Sequence, residues 1–305
     1  MLRLAEDWVW DFWFADDGER HHVFFLKAPR SLGDPDLRHF HVRVGHAVSD
    51  DLVDWELLPD ALWPRKEPAF DDGTTWTGSV VRDDDGGWRM FYTGTSRAED
   101  CLVQRIGVAR SDDLTTWVRE GTTALLEPDA RWYETLDRTA WHDQAWRDPW
   151  VFRDPGGDGW HMLITARAAT GPADDRGVIG HAWSPDLDTW QVRAPRSAPG
   201  AGFGHLEVPQ VEVVDGRPVL LFSCPGVHLS AARRAQGVDG GVWWLDAPSL
   251  VGPFDASAAR LLSDERLYSG RLVQRRDGAW VWLGFENVDA DGGFVGVIGD
   301  PQPVG

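Results

Sequence analysis

Cysteine is almost missing from this sequence, with two residues, Cys101 and Cys224, in a chain of 305. So few thiols exclude a disulfide framework and the paired spacings of a zinc site; only whether those two pair is left open. Long apolar runs are missing too. No stretch of 18 or more apolar residues occurs, and the opening Met1-Leu2-Arg3-Leu4-Ala5-Glu6-Asp7 has no apolar segment of the kind a secretory leader carries. The expectation is a soluble, cytoplasmic protein. Basic charge is scarce, since 30 Lys and Arg face 49 Asp and Glu, for a net −19 at pH 7. Such a balance repels nucleic acid and anionic membrane, so neither is expected as a partner, whereas a neutral small molecule is indifferent to it. What is present points to a large core. Hydrophobic residues make up 42%, and the aromatic weight falls on 19 Trp against 3 Tyr. Packing on half-buried sheet faces accounts for most of those indoles, and stacking on sugar rings for others.

Five segments open what read as β-strands: Trp10-Asp11-Phe12-Trp13, Trp76-Thr77-Gly78-Ser79, Arg147-Asp148-Pro149-Trp150, Glu207-Val208-Pro209-Gln210 and Tyr268-Ser269-Gly270-Arg271. Their first residues follow one another at 66, 71, 60 and 61 positions. A near-constant period of this size fits propeller blades of four strands with extended loops. The first strand of each blade then lines a central channel, and three openings deliver a carboxylate to one mouth: Asp11, Asp148 and Glu207. Acids from distant parts of the chain meeting in one pocket are what a glycosidase requires.

The segments after each opening support this reading. Second strands rich in β-branched and aromatic residues include His22-Val23-Phe24-Phe25-Leu26 and Trp160-His161-Met162-Leu163-Ile164, and clusters such as Asp16-Asp17-Gly18 and Pro155-Gly156-Gly157-Asp158-Gly159 separate them from the first strands. A third element repeats as Gly45-His46-Ala47-Val48-Ser49-Asp50-Asp51-Leu52, Gly107-Val108-Ala109-Arg110-Ser111-Asp112-Asp113-Leu114 and Gly180-His181-Ala182-Trp183-Ser184-Pro185-Asp186-Leu187, each followed by Trp55, Trp117 or Trp190. It reads as a third strand, a tight turn in which Ser and Asp bond turn amides, and a Trp that starts a fourth strand. The last two blades lack this turn, although Gly241-Val242-Trp243-Trp244 and Gly293-Phe294-Val295-Gly296-Val297 can supply their third strands. Stretches 127–144 and 194–204 are expected loops that shape the channel mouth. Residues 1–305 are expected to form one all-β domain, a five-bladed β-propeller.

The repeated turn with Leu58-Pro59 and Ala61-Leu62 after it, Thr77-Gly78-Ser79-Val80-Val81, Phe91-Tyr92-Thr93-Gly94, Arg147-Asp148-Pro149 and Glu207-Val208-Pro209 resemble, in order, the motifs of the invertase and fructanase family, glycoside hydrolase family 32. The resemblance implies a five-bladed propeller acting on β-fructofuranosidic bonds with retention. It implies Asp11 as nucleophile, Asp148 as transition-state stabiliser and Glu207 as general acid/base. Three departures stand out. Trp8-Val9-Trp10-Asp11-Phe12-Trp13 resembles the Val-Trp-Asp-x-Trp of levansucrases more than the usual Asn-Asp-Pro opening; Leu26 stands where the family has a Gln; and within residues 1–305 the family's C-terminal β-sandwich is not expected. A second copy of the chain could cover the edges left bare, so a homo-oligomer stays open.

Asp11 suits attack on an anomeric carbon if ionised and held by backbone amides, while a proton donor needs a raised pKa, which the apolar neighbours of Glu207 are expected to provide. His205, two positions from Glu207, is placed to tune it or to bind the leaving group. Trp10, Trp76, Ser79, Arg147, His205 and Tyr268 are the candidate sugar contacts. Adjacent strand residues face opposite ways, so Arg147 and Asp148 share the pocket only if the strand is bulged or twisted. His21, His22 and His46 carry no metal-ligand pattern, and neither metal nor cofactor is expected. Two further readings stay open: an inverting furanosidase of the arabinofuranosidase type, and a sugar-binding propeller without turnover. Because only three of five openings carry an acid, a single central site is favoured over repeated lectin sites.

Overall fold

The computed structural model describes residues 1–157 and 159–304; Asp158, in the turn expected of the third blade, and Gly305 lie outside the described residues. Twenty strands among the described residues fall into five antiparallel sheets. The first blade is β1 (Asp7–Asp16), β2 (His21–Pro29), β3 (Arg43–Ser49) and β4 (Glu56–Leu62). The second is β5 (Thr74–Arg82), β6 (Trp88–Thr95), β7 (Gln104–Ser111) and β8 (Val118–Arg119). The third is β9 (Trp146–Arg153), β10 (Trp160–Arg167), β11 (Gly177–Ser184) and β12 (Gln191–Arg193), and the fourth β13 (Glu207–Val214), β14 (Arg217–Cys224), β15 (Gly241–Asp246) and β16 (Arg260–Asp264). The fifth runs β17 (Leu267–Gln274), β18 (Trp280–Val288) and β19 (Phe294–Ile298), with β20 (Gln302–Pro303) paired further along β18. Strands β1, β5, β9, β13 and β17 neighbour one another in a closed ring, which makes the fold the five-bladed propeller that the period predicts. Leu2 closes the last blade, exchanging hydrogen bonds of 3.0 and 3.1 Å with Ile298 on the free edge of β19.

The repeated turn works as its residues predict. Ser49 Oγ accepts the Leu52 N–H at 2.9 Å, and Asp51 Oδ1 accepts those of Val53 and Asp54 at 2.8 and 2.9 Å. The copies at Ser184 and Asp186 repeat both halves, and Asp113 repeats the carboxylate half. Each copy forces its Leu into the left-handed region, with φ of 68° at Leu52, 61° at Leu114 and 67° at Leu187. That conformation costs a non-glycine residue about 1–2 kcal/mol. Burial of a Leu side chain returns about 1.5–3 kcal/mol, and all three are buried in the seams between blades. Packing therefore holds the strained turn.

Loops 127–144 and 194–204 carry no strand. A third connection, from β2 to β3, holds two short 3-10 turns, Arg30–Leu32 and Pro35–Phe40, and reaches the channel mouth. Cys101 and Cys224 are both free thiols. Among the described residues, no helix is long and apolar enough to cross a membrane.

Candidate active site

All five innermost strands slip register at the same level. The slips fall between Trp10 and Phe12 on β1, Trp76 and Gly78 on β5, Glu207 and Gln210 on β13, and Tyr268 and Arg271 on β17; on β9 the slip lies between Arg147 and Trp150. Positive φ marks three of them: 57° at Asp148, 47° at Val208 and 54° at Ser269. A bulge breaks the alternation of a strand and re-aims its side chains. Arg147 and Asp148 consequently line one cavity although they are neighbours in a strand.

That cavity, of about 350 Å³, sits at the channel mouth and is lined by Asp11, Asp148 and Glu207 from blades one, three and four. Its volume lies in the range of small-molecule sites. Trp10, Trp76, Arg147 and His205 also line it. Trp10 is nearly fully buried, with its ring edge-on to His39 at 6.1 Å, and the Trp76 indole N–H donates to the His39 carbonyl at 3.0 Å. Leu26 lines the cavity as well, as an apolar patch.

Two expected sugar contacts lie elsewhere. Ser79 is not among the lining residues; it is buried at the seam between blades two and three, where its Oγ accepts the Val151 N–H at 3.0 Å. The slip on β5 turns Thr77 to the cavity in its place. Tyr268 is also not among the lining residues; it reaches the site through Glu207, donating its hydroxyl to Oε2 at 2.5 Å. Sequence reading missed Thr77, His39, Phe40, Gln104, Asp143 and His228, most of them on the rim loops or past them. Only the expectation that the 127–144 loop shapes the mouth pointed to any of these, namely Asp143.

Glu207 is the most heavily bonded acid. Arg147 Nη2 donates to its Oε1 at 2.6 Å and to His205 Nδ1 at 3.0 Å, and His205 Nε2 lies 3.5 Å from Oε2. Arg147 Nη1 donates to Gln104 Oε1 at 3.1 Å. Burial works to raise the Glu207 pKa, but His205, Arg147 and the Tyr268 hydroxyl outweigh it and hold the carboxyl well below the usual carboxylate range. Burial in turn keeps His205 neutral, so its part is that of an N–H dipole and Arg147 is the full charge on the carboxylate. The raised pKa expected for Glu207 is thus reversed in the resting site. Apolar neighbours in sequence do not reveal a guanidinium 60 residues away.

Asp11 departs in the other direction. Among the described residues, no backbone amide holds it; Thr77 Oγ1 donates to its Oδ2 at 3.1 Å. Burial, then the charges of Asp148 and Glu207, push its pKa up to about 7. Asp148 is held by Thr165 Oγ1 at 2.8 Å and by the Val208 N–H at 3.1 Å, both on Oδ2. Burial raises its pKa against the pull of Arg147. At neutral pH the site therefore holds an anionic Glu207 and shares a proton at Asp11, a coupled set rather than three independent acids.

Among the described residues, no group of three His, Cys, Asp or Glu side chains converges as metal ligands. His22 and His46 pair with each other, Nδ1 to Nε2 at 2.9 Å, inside blade one.

Comparison with known proteins agrees with this geometry. The model of the glycosyl hydrolases family 32 N-terminal domain matches residues 14–269. A beta-fructofuranosidase, insoluble isoenzyme 2, of Oryza sativa subsp. indica is 26% identical over 297 residues, covering 85% of this chain and 46% of its own length. A sucrose-6-phosphate hydrolase of Escherichia coli is 25% identical over 284 residues, 90% of this chain and 52% of its own. The chain thus spans about half the length of these relatives. An inulosucrase from Halalkalicoccus jeotgali, solved bound to kestose, superposes with a TM-score of 0.76 at 25% identity, over 97% of this chain and 81% of that one. Match, fold and acid trio together place the chain in glycosyl hydrolase family 32, through the family's N-terminal domain.

Proposed function

We propose that this chain is the catalytic propeller of a retaining glycosidase that cleaves terminal β-fructofuranosidic bonds of sucrose-like fructosides or short fructans. The observation that carries the reading is the meeting of Asp11, Asp148 and Glu207 in one cavity within a family 32 domain. In this reading Asp11 attacks the anomeric carbon while Glu207 gives a proton to the departing oxygen, and Asp148 accepts hydrogen bonds from ring hydroxyls. Glu207 then takes a proton from the water that releases the sugar. The reacting form needs Asp11 anionic and Glu207 protonated, the reverse of the resting preference. Enzyme carrying one shared proton is therefore competent only in its minor arrangement, whose share is set by the gap between the two pKa values. A second sugar in place of water gives transfer. A 6(G)-fructosyltransferase of Asparagus officinalis, 34% identical over 137 residues, supports that branch.

Proton NMR of the purified protein with sucrose, a levan oligomer, inulobiose and an aryl α-L-arabinofuranoside tests the proposal beside Asp11→Ala. Early release of fructose with retained configuration, lost in the variant, is the expected result. Cleavage of the arabinoside alone, with inversion, would move the protein to the arabinofuranosidase class.

A further inference from the structure

One cation near the site has no part in the mechanism above. Arg271 follows the bulge of β17, is 1% exposed, and reaches from blade five to the inner strands of blades one and four. Its Nε donates to the Phe12 carbonyl at 2.9 Å, and its Nη1 to those of Val208 and Pro209 at 3.1 and 3.3 Å. Phe12 is the residue after Asp11, and Val208 the residue after Glu207. The Val208 N–H in turn holds Asp148. A single planar fork thus ties the bulges of blades one and four to blade five, and through Val208 reaches the acid of blade three.

We propose that Arg271 is a positioning residue of this site, fixing the backbones that carry Asp11 and Glu207 and placing a positive charge near the acids. The proposal rests on the fructosidase reading.

The charge argument follows from what faces Asp11. The anions are Asp148 and Glu207, the hydroxyls are those of Thr77 and Ser269, and the cations coupled to it are Arg38, from the turn between β2 and β3, and Arg271. Arg147 is engaged sideways by Glu207. Arg271 is coupled to both Asp148 and Asp11, and burial brings its own pKa down to about 10. Without it, ionised Asp11 loses a buried counter-charge, and the shared proton settles more firmly there. Each unit by which Asp11 rises leaves about tenfold fewer molecules in the competent arrangement. A purely structural role would produce no such link between pH limb and rate.

The test is kcat/KM on sucrose against pH for wild type, Arg271→Lys and Arg271→Met, with thermal unfolding and carbon-13 NMR titration of labelled Asp11. In Arg271→Met the basic limb is expected to rise by about one pH unit and the plateau to fall about tenfold. Arg271→Lys keeps the charge, and so the limb, but lowers the plateau, because an ammonium cannot reproduce the fork to three carbonyls. A folded Arg271→Met with unchanged limb and plateau would overturn the proposal, as would equal limb shifts in both variants. If Arg271→Met does not fold, an unchanged plateau in Arg271→Lys overturns it. Wild type without turnover of any fructoside would sink the parent reading alone, since the Asp11 titration must still move in Arg271→Met.

Discussion

Tyr268 donates its hydroxyl to Glu207 Oε2 at 2.5 Å, joining blade five to the acid of blade four across 61 residues of sequence. Replacing it by Phe leaves a mostly buried carboxylate oxygen without its donor, which costs about 1–3 kcal/mol. Tyr268→Phe should lower the urea midpoint accordingly. Because the hydroxyl helps hold the Glu207 carboxyl down, its loss narrows the gap to Asp11, so the plateau of kcat/KM should rise. A rise in KM alone would instead mean that the ring touches the sugar.

The pH dependence follows from the shared proton. Asp11 loses it as pH rises through about 7, and above that both Asp11 and Glu207 are anions, with no acid left for the leaving oxygen. On a stable fructoside, kcat/KM should therefore decline above about pH 7. A rate that stays level to pH 9 contradicts this assignment.

Asp11 also carries a stability cost with a definite sign. Its folded pKa is raised from 3.8 to about 7, so between these values the folded state holds a proton that the unfolded chain has released. Stability from this group is greatest below pH 4 and is lost as pH rises to 7. Asp11→Asn should raise the melting temperature at pH 8, by a stabilisation on the order of 2 kcal/mol, and gain much less at pH 4. An equal gain at both pH values argues against the shift.

Two buried imidazoles act oppositely. Burial first, then the neighbouring imidazole at His46 and Arg196 at His181, bring both pKa values from 6.5 down to about 3. In that window the unfolded chain binds protons that the folded chain refuses, so stability falls as pH drops from 6.5 to 3. In His46→Gln the slope of unfolding free energy against pH between 6 and 4 should decrease by up to one proton, about 1.4 kcal/mol per pH unit. An unchanged slope would show that His46 is protonated in the folded state.

Ser79 separates seam from site. Since its hydroxyl accepts only the Val151 N–H, Ser79→Ala should cost about 1–2 kcal/mol of stability and leave KM on sucrose unaltered. A KM effect without a stability effect would return Ser79 to the pocket.

Much of this was legible locally. The period of blade openings, the Asp-Gly turns and the Ser-x-Asp-Leu repeat each encode a local structure, and their order places Asp11, Asp148 and Glu207 on three inner strands. Ser79 shows where local reading stops. Strict alternation puts a strand residue on one face or the other, and the only trace of the bulge at Thr77 that reverses the assignment is Gly78 beside it, where a Cβ would meet the Phe91 carbonyl. His39 and Phe40 were hidden for a related reason: a loop between strands can fold over any rim, and only packing chooses which.

By itself, then, the chain determined strand identity, blade count and the presence of three acids at one mouth, because these depend on periodicity and turn chemistry over a few residues. Tertiary structure decided which acid keeps a proton. The Arg147 guanidinium and Tyr268 hydroxyl at Glu207, and the opposed anions around Asp11, arrive from other blades. Burial and charge at a point are sums over everything within a few ångströms, and in a closed ring those neighbours lie 60 or more residues apart.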